Sequence, residues 1–211
     1  MNKNEGQFFE HDKGVLIVIS GPSCAGKGTV CKIVNKNRPE IRLSVSETTR
    51  EPRRNEVAGK DYFYITEELF EKRIKENQYL EYATVYKHYY GTKKDYVEKL
   101  LNQGYDVILE IDIQGAAKVR KNYKEGIYIF IAPPSMEELR RRIEMRGTES
   151  KEQMEMRLNC AYDEMTNADD YSYIVINEDK DVAAGQVEAI IAAEKCRTER
   201  LKNKVYDILG R

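Results

Sequence analysis

GVLIVISGPSCAGKGTV, residues 14–30, passes from an apolar, β-branched run into a turn that holds three glycines and a lysine, and then into helix-forming sequence. A short run of valine and isoleucine suits a strand covered on both faces. Glycines at its mouth let successive backbone N–H groups point into one hollow, and a helix that starts there adds the positive end of its dipole. Gly21, Gly26 and Lys27 have the P-loop spacing, in which the lysine ammonium reaches the terminal phosphates of a nucleoside triphosphate. Gly28 departs from that pattern. It stands where a serine or threonine hydroxyl would face Mg2+, and Thr29 is the nearest substitute. The metal is then expected to be held largely by phosphates and water, which this ion tolerates.

Working outward, a helix is expected from about Lys27 to Asn37. YDVILEID (105–112) and IYIFIA (127–132) read as further strands trailed by helix-like sequence, and YSYIVI (171–176) as a fourth strand before a helix near Val182 to Lys202. Alternation of this kind implies an α/β fold, a parallel sheet flanked by helices. From about 44 to 92 the texture changes to short β-like pieces rich in tyrosine around the charged turn TTREPRRNEVAGKDY, which reads as an inserted lobe. A second irregular piece, RGTESKEQMEMR (146–157), lies between two helices and reads as a short mobile lid. Polar residues 1–13 read as a flexible leader, and 14–211 as one domain.

Composition narrows the partners. The 35 basic and 36 acidic residues nearly cancel, so no overall field marks a nucleic-acid or membrane-surface binder, and small molecules are the expected partners. Cys24, Cys31, Cys160 and Cys196 form no CxxC pair and have no ligand-like spacing to His11 or His88, which argues against a zinc site and a disulfide framework. No apolar run approaches the ~20 residues of a membrane span, and the first residues lack the apolar core of a secretory signal. A soluble cytoplasmic protein is expected, with monomer and homo-oligomer both left open.

Five segments in order, GPSCAGKGT, SVSETTREPRRNEVAGKDY, EYATVYKHYYGT, EIDIQG and RGTESKEQMEMRL, resemble the guanylate kinase family of P-loop nucleoside monophosphate kinases over about residues 14–200. The resemblance implies a P-loop NTPase-type core with a GMP-binding lobe and a lid, and Mg2+-dependent transfer of the ATP γ-phosphoryl group to GMP or dGMP. For ATP it implies the loop Gly21, Pro22, Ser23, Cys24, Ala25, Gly26, Lys27, Gly28 and Thr29, with Asn177 near the adenine. Cys24 replaces a glycine common in the family's loops. For the GMP phosphate it implies Ser46, Arg50, Arg53 and Tyr62, with Tyr90 as a further donor and Glu56 orienting the cations. Arginine's forked donors suit such a phosphate.

Guanine presents adjacent N–H donors that a carboxylate accepts as a pair, whereas adenine presents an acceptor there. The resemblance gives that task to Glu81, the base oxygen to Thr92 and a second acidic contact to Asp112; read alone, Glu81 is an ordinary exposed glutamate. Glu110 and Asp112 close a strand at the end where open α/β sheets bind ligands, so Thr29 and Asp112 are expected near Mg2+, mostly through water, with Glu110 structural or functional. Arg142, Arg146 and Arg157 match the family's phosphate-contacting arginines and join Lys27 and Arg50 as the expected catalytic set, while Arg140 and Arg141 face solvent. Direct transfer is expected, since no activated histidine, serine or cysteine accompanies these positions. Two other readings remain: a kinase for another monophosphate such as AMP, which Glu81, Thr92 and Asp112 oppose, and a non-catalytic binding module, which the intact loop and arginines oppose.

Overall fold

The structure, a computed structural model, describes residues 13–53, 56–85, 87–145 and 151–210. In chain order the elements are β1 (Leu16–Ser20), α1 (Lys27–Asn37), β2 (Ile41–Leu43), β3 (Glu47–Thr48), β4 (Phe63–Tyr64), α2 (Glu67–Lys75), β5 (Tyr79–Val85) and β6 (His88–Lys93). There follow α3 (Lys94–Asn102), β7 (Asp106–Glu110), α4 (Ile113–Asn122), β8 (Ile127–Ala132), α5 (Met136–Met145), α6 (Lys151–Met165), β9 (Tyr173–Ile176), α7 (Lys180–Lys195) and α8 (Thr198–Ile208).

β1 is buried along its whole length because it sits at the centre of a parallel five-stranded sheet ordered β2-β7-β1-β8-β9. Side chains alternate across a strand. Ile17 and Ile19 therefore pack on one face with Val30 and Val34 of α1 and Val187 and Ile191 of α7, while Leu16 and Val18 pack on the other with Val97 and Leu101 of α3 and Val119 of α4. A second sheet, β4-β3-β6-β5, has an aromatic core: Phe70 of α2 stacks between Tyr79 at 4.4 Å and Tyr89 at 5.0 Å between centroids. Beneath it the buried Glu47 is held by Arg73 and by the Tyr79 hydroxyl at 2.6 Å. The tyrosine-rich texture is this packing.

The structure departs from the sequence reading at several elements. The expected helix from Val182 to Lys202 is two helices, because Arg197 takes an extended ψ of 143° and Glu194, bonded to the Tyr173 hydroxyl, anchors the end of the first. The stretch expected to be irregular up to 157 is helical from Lys151, so Arg157 lies inside α6. Met154, Leu158 and Ala161 place an apolar row against Leu139 and Ile143 of α5, a helical period hidden in the sequence by the charges between. β2, α2 and α3 are absent from the sequence reading; β2, at three residues, is too short for a periodic signal. Residues 1–12 of the expected leader and residues 146–150 of the expected lid, with Arg146, lie outside the described residues. Among the described residues no helix is long and apolar enough to cross a membrane.

The carboxyl ends of β1, β7 and β9 lead into Gly21–Lys27, Ile111–Asp112 and Asn177 along one edge of the sheet. Ligands of open α/β sheets bind at such an edge.

Candidate functional site

Gly26 caps α1 in the left-handed conformation, φ 91°, and Lys27 opens the helix with its side chain folded back over the loop. Its ammonium donates to the carbonyls of Gly21 (2.6 Å) and Pro22 (3.0 Å). Burial lowers the Lys27 pKa, and the charges of Glu110 and Glu164 oppose that shift. Ser23, Cys24, Gly26, Lys27, Gly28, Thr29, Lys32, Glu110 and Arg142 line an open cavity of about 540 Å3 beside the loop.

Gly28 owes its identity to a neighbour. A Cβ there would stand 3.1 and 3.2 Å from the two oxygens of Glu110, so the residue that lacks the usual hydroxyl also makes room for a carboxylate. Glu110 opens to the cavity, yet the surrounding wall removes enough water to raise its pKa, against the pull of Lys27 and Lys32. Thr29 is exposed on the same wall. Asp112 does not line this cavity: its Oδ1 caps α4 by accepting from the Gly115 N–H at 2.7 Å.

Two elements tie the loop from behind. Asn177, buried at the end of β9, donates its amide to the Ala25 carbonyl at 2.7 Å. Arg142 of α5 donates to the Asn177 carbonyl (2.9 Å) and the Ala25 carbonyl (3.4 Å) while Glu138 accepts from its Nε at 2.8 Å. From α6, Arg157 donates to the Ser23 hydroxyl and Glu164 accepts from the Ser23 N–H, both at 3.3 Å. Arg157 and Glu164 are seven apart on one helix face; the sequence reading misses Glu164 because it puts Arg157 in the irregular piece, ahead of the helix that carries Glu164. Arg140 and Arg141 are exposed and paired with Glu155 and Glu138.

The second sheet gathers a different set. Glu56 binds Arg50 with both oxygens, at 2.8 and 2.9 Å, and also accepts from the Arg53 N–H (2.9 Å) and the Tyr64 hydroxyl (2.8 Å). The Arg50 bonds hold the Glu56 carboxyl down at about 2. Arg50 Nε donates to the Tyr90 hydroxyl at 3.1 Å, and its guanidinium lies 5.3 Å from the Tyr62 ring centroid. The Arg53 side chain is exposed. On the core side of this cluster the Ser46 and Thr92 hydroxyls are 3.3 Å apart, and Thr92 donates to Glu81 Oε1 at 2.7 Å. Glu81 is only 6% exposed. Burial, with a smaller push from Asp112, raises its carboxyl to about 7 against the Thr92 bond and the Lys118 charge.

Arg146 lies outside the described residues; the others expected around the triphosphate meet at the β1–α1 loop, and those expected around the monophosphate lie on the second sheet, with Asp112 beside Glu81. The first group offers backbone N–H groups and cations to a polyanion. The second offers an arginine and hydroxyls to a lone phosphate and a sealed carboxylate to paired donors.

A family model described as guanylate kinase matches residues 13–194. A guanylate kinase of Caldanaerobacter subterraneus subsp. tengcongensis is 55% identical over 191 residues, 90% of this chain and 93% of its own length. One of Clostridium tetani is 54% identical over 194 residues, 92% and 93% of the two chains. The crystal structure of guanylate kinase from Anaplasma phagocytophilum superposes with a TM-score of 0.73 at 34% identity, covering 90% of each chain.

Proposed function

The chain belongs to the guanylate kinase family, and on that premise we propose that it catalyses direct transfer of the γ-phosphoryl group of Mg·ATP to GMP or dGMP, giving ADP and GDP. The observation that carries the acceptor's identity is Glu81: a buried carboxylate with one oxygen held by Thr92 and Asp112 beside it. Two adjacent guanine N–H donors satisfy such a group, whereas adenine would set an acceptor against it.

On the donor side, ATP phosphates replace the carbonyls of Gly21 and Pro22 as partners of Lys27, and the N–H groups at the start of α1 face them. Asn177 and Arg142 fix the Ala25 carbonyl and so the loop's curvature; Arg142, Arg157 and Arg146 supply cations around the transferred group. On the acceptor side Glu56 pre-aims Arg50, and the monophosphate takes donors from Arg50, Tyr90, Ser46, Tyr62 and Arg53. The Thr29 hydroxyl and the Glu110 carboxylate, beside Gly28 on the cavity wall, would hold Mg2+, mostly through water. When bound, the ion neutralises charge on the β- and γ-phosphates.

A coupled ADP-release assay with ATP against GMP, dGMP, AMP, CMP and UMP tests this. GMP should exceed AMP by about 10⁴-fold or more in kcat/KM, as for sites that hydrogen-bond their substrate's polar groups. AMP as the better acceptor would select another monophosphate kinase, and GMP binding without turnover would select a non-catalytic module.

A further inference from the structure

The start of α4 meets β5 through residues spaced three apart, which share one helix face. Asp112 caps the helix, Gly115 lies against the Glu81 carboxylate, and Lys118 donates to the Tyr82 carbonyl and stands 4.6 Å from that ring's centroid. A Cβ on Gly115 would be 2.9 Å from Glu81 Oε2, 3.3 Å from Glu81 Cδ and 3.3 Å from Asp112 Oδ1. Gly115 is helical, and within a helix alanine is favoured over glycine. The residue goes against local propensity, and what it provides is space.

We propose that Gly115 is a positioning residue for base recognition: by carrying no side chain it leaves the slot in which the Glu81 carboxylate stands beside Asp112, and so sets where the guanine edge is met. This rests on Glu81 as the acceptor of the guanine donors. Because Thr92 holds Oε1, a methyl group against Oε2 leaves two responses, rotation of the carboxylate or loss of the Thr92 bond. Either one misaligns the acceptor pair. The atoms that must move are the far end of a side chain rather than backbone, so the fold survives while recognition fails.

The experiment is Gly115→Ala, followed by steady-state kinetics at fixed Mg·ATP, thermal unfolding, and a 13C NMR titration of the Glu81 carboxyl. We expect kcat/KM for GMP to fall at least about tenfold, as for a misplaced buried polar partner. KM for ATP should stay within about twofold, as for a distant, independent site. The melting temperature should not fall, and the Glu81 titration should move from about 7 towards the usual carboxylate range as the group leaves its slot. Glu81→Asp, shorter by one methylene, vacates the slot, so on that background Gly115→Ala should cost no more than about twofold. Unchanged GMP kinetics with an unmoved Glu81 titration would overturn the proposal, as would equal losses on both backgrounds or unfolding on both, which assign Gly115 to the helix alone. A parent protein that does not phosphorylate GMP would remove the guanine reading itself. An active parent whose Glu81 titration ignores Gly115→Ala removes only the role of Gly115.

Discussion

The phosphate loop and the base pocket each set a carboxylate against a glycine, and they treat that carboxylate in opposite ways. Glu110 beside Gly28 opens to a cavity with Lys27 and Lys32 acting on it. Glu81 beside Gly115 is sealed, with a hydroxyl as hydrogen-bond donor and another carboxylate near by. One carboxylate has cations acting on it that only partly offset its burial. The other is left short of donors, and a ligand that brings two of them gains what the protein withholds.

The largest break in this comparison is expected at the loop. Lys27→Ala removes the cation that faces the polyphosphate, and turnover at saturating substrates should fall by about 10³-fold or more, by analogy with phosphoryl-transfer cations. That is about 4 kcal/mol of barrier. Turnover within a few-fold of the parent would show that the ammonium serves only the carbonyls of Gly21 and Pro22.

Next comes the pocket. Glu81→Gln turns one acceptor into a donor aimed at guanine N–H groups, so kcat/KM for GMP should drop at least about tenfold, while KM for ATP stays unchanged. Since the Glu81 carboxyl titrates at about 7 in the free protein, kcat/KM for GMP should rise with pH through that value, and Glu81→Gln should keep only the step that belongs to the substrate's own phosphate. Stability should run the other way. A carboxyl whose folded pKa lies above its unfolded value stabilises most at low pH, and that contribution is lost as pH rises through about 7. Parallel pH profiles of the two proteins would remove Glu81 from the pocket.

Two smaller effects sharpen the contrast. Gly28→Ala should change KM for ATP only within about threefold, because Glu110 can swing into open space where Glu81 cannot; a loss as large as that from Gly115→Ala would erase the distinction. Cys24 holds φ 64°, a left-handed conformation that costs a non-glycine residue roughly 1–2 kcal/mol. Cys24→Gly should therefore raise the melting temperature, by about 2–4 °C per kcal/mol recovered. A lower melting temperature would mean that the thiol's packing against the α5–α6 cluster outweighs the strain.

The same contrast governs what the sequence discloses. The loop is one continuous stretch whose chemistry lies in backbone and spacing, so Gly21, Gly26 and Lys27 can be read directly, together with the strand before them and the helix after. The pocket is assembled from β5, β6 and α4, and Glu81 taken alone is a glutamate like any other; only its likeness to a family motif pointed to it. Gly115 closes the family-like segment EIDIQG, but that segment does not disclose its task, because its meaning is the distance to a residue 34 positions away. Glu164 is hidden for a different reason: charges along 151–157 mask the first turns of α6, so Arg157 and Glu164 do not read as sharing one helix face. The parallel core was legible from four apolar runs, whereas β2 was too short to show a period and the break at Arg197 depends on the part-buried tie between Glu194 and Tyr173.

On the proposed reading of the pocket, the sealed carboxyl of Glu81 would make nucleotide capture a proton-exchange event. With its carboxyl raised to about 7 by burial, part of the Glu81 population carries a proton at neutral pH, and since only the anion accepts both guanine donors, GMP binding should expel a fraction of a proton into the medium. The heat of binding will therefore carry the ionisation enthalpy of whichever buffer takes that proton up, and the enzyme's appetite for GMP is tied to the acidity of its surroundings through a residue that never touches the phosphate being moved.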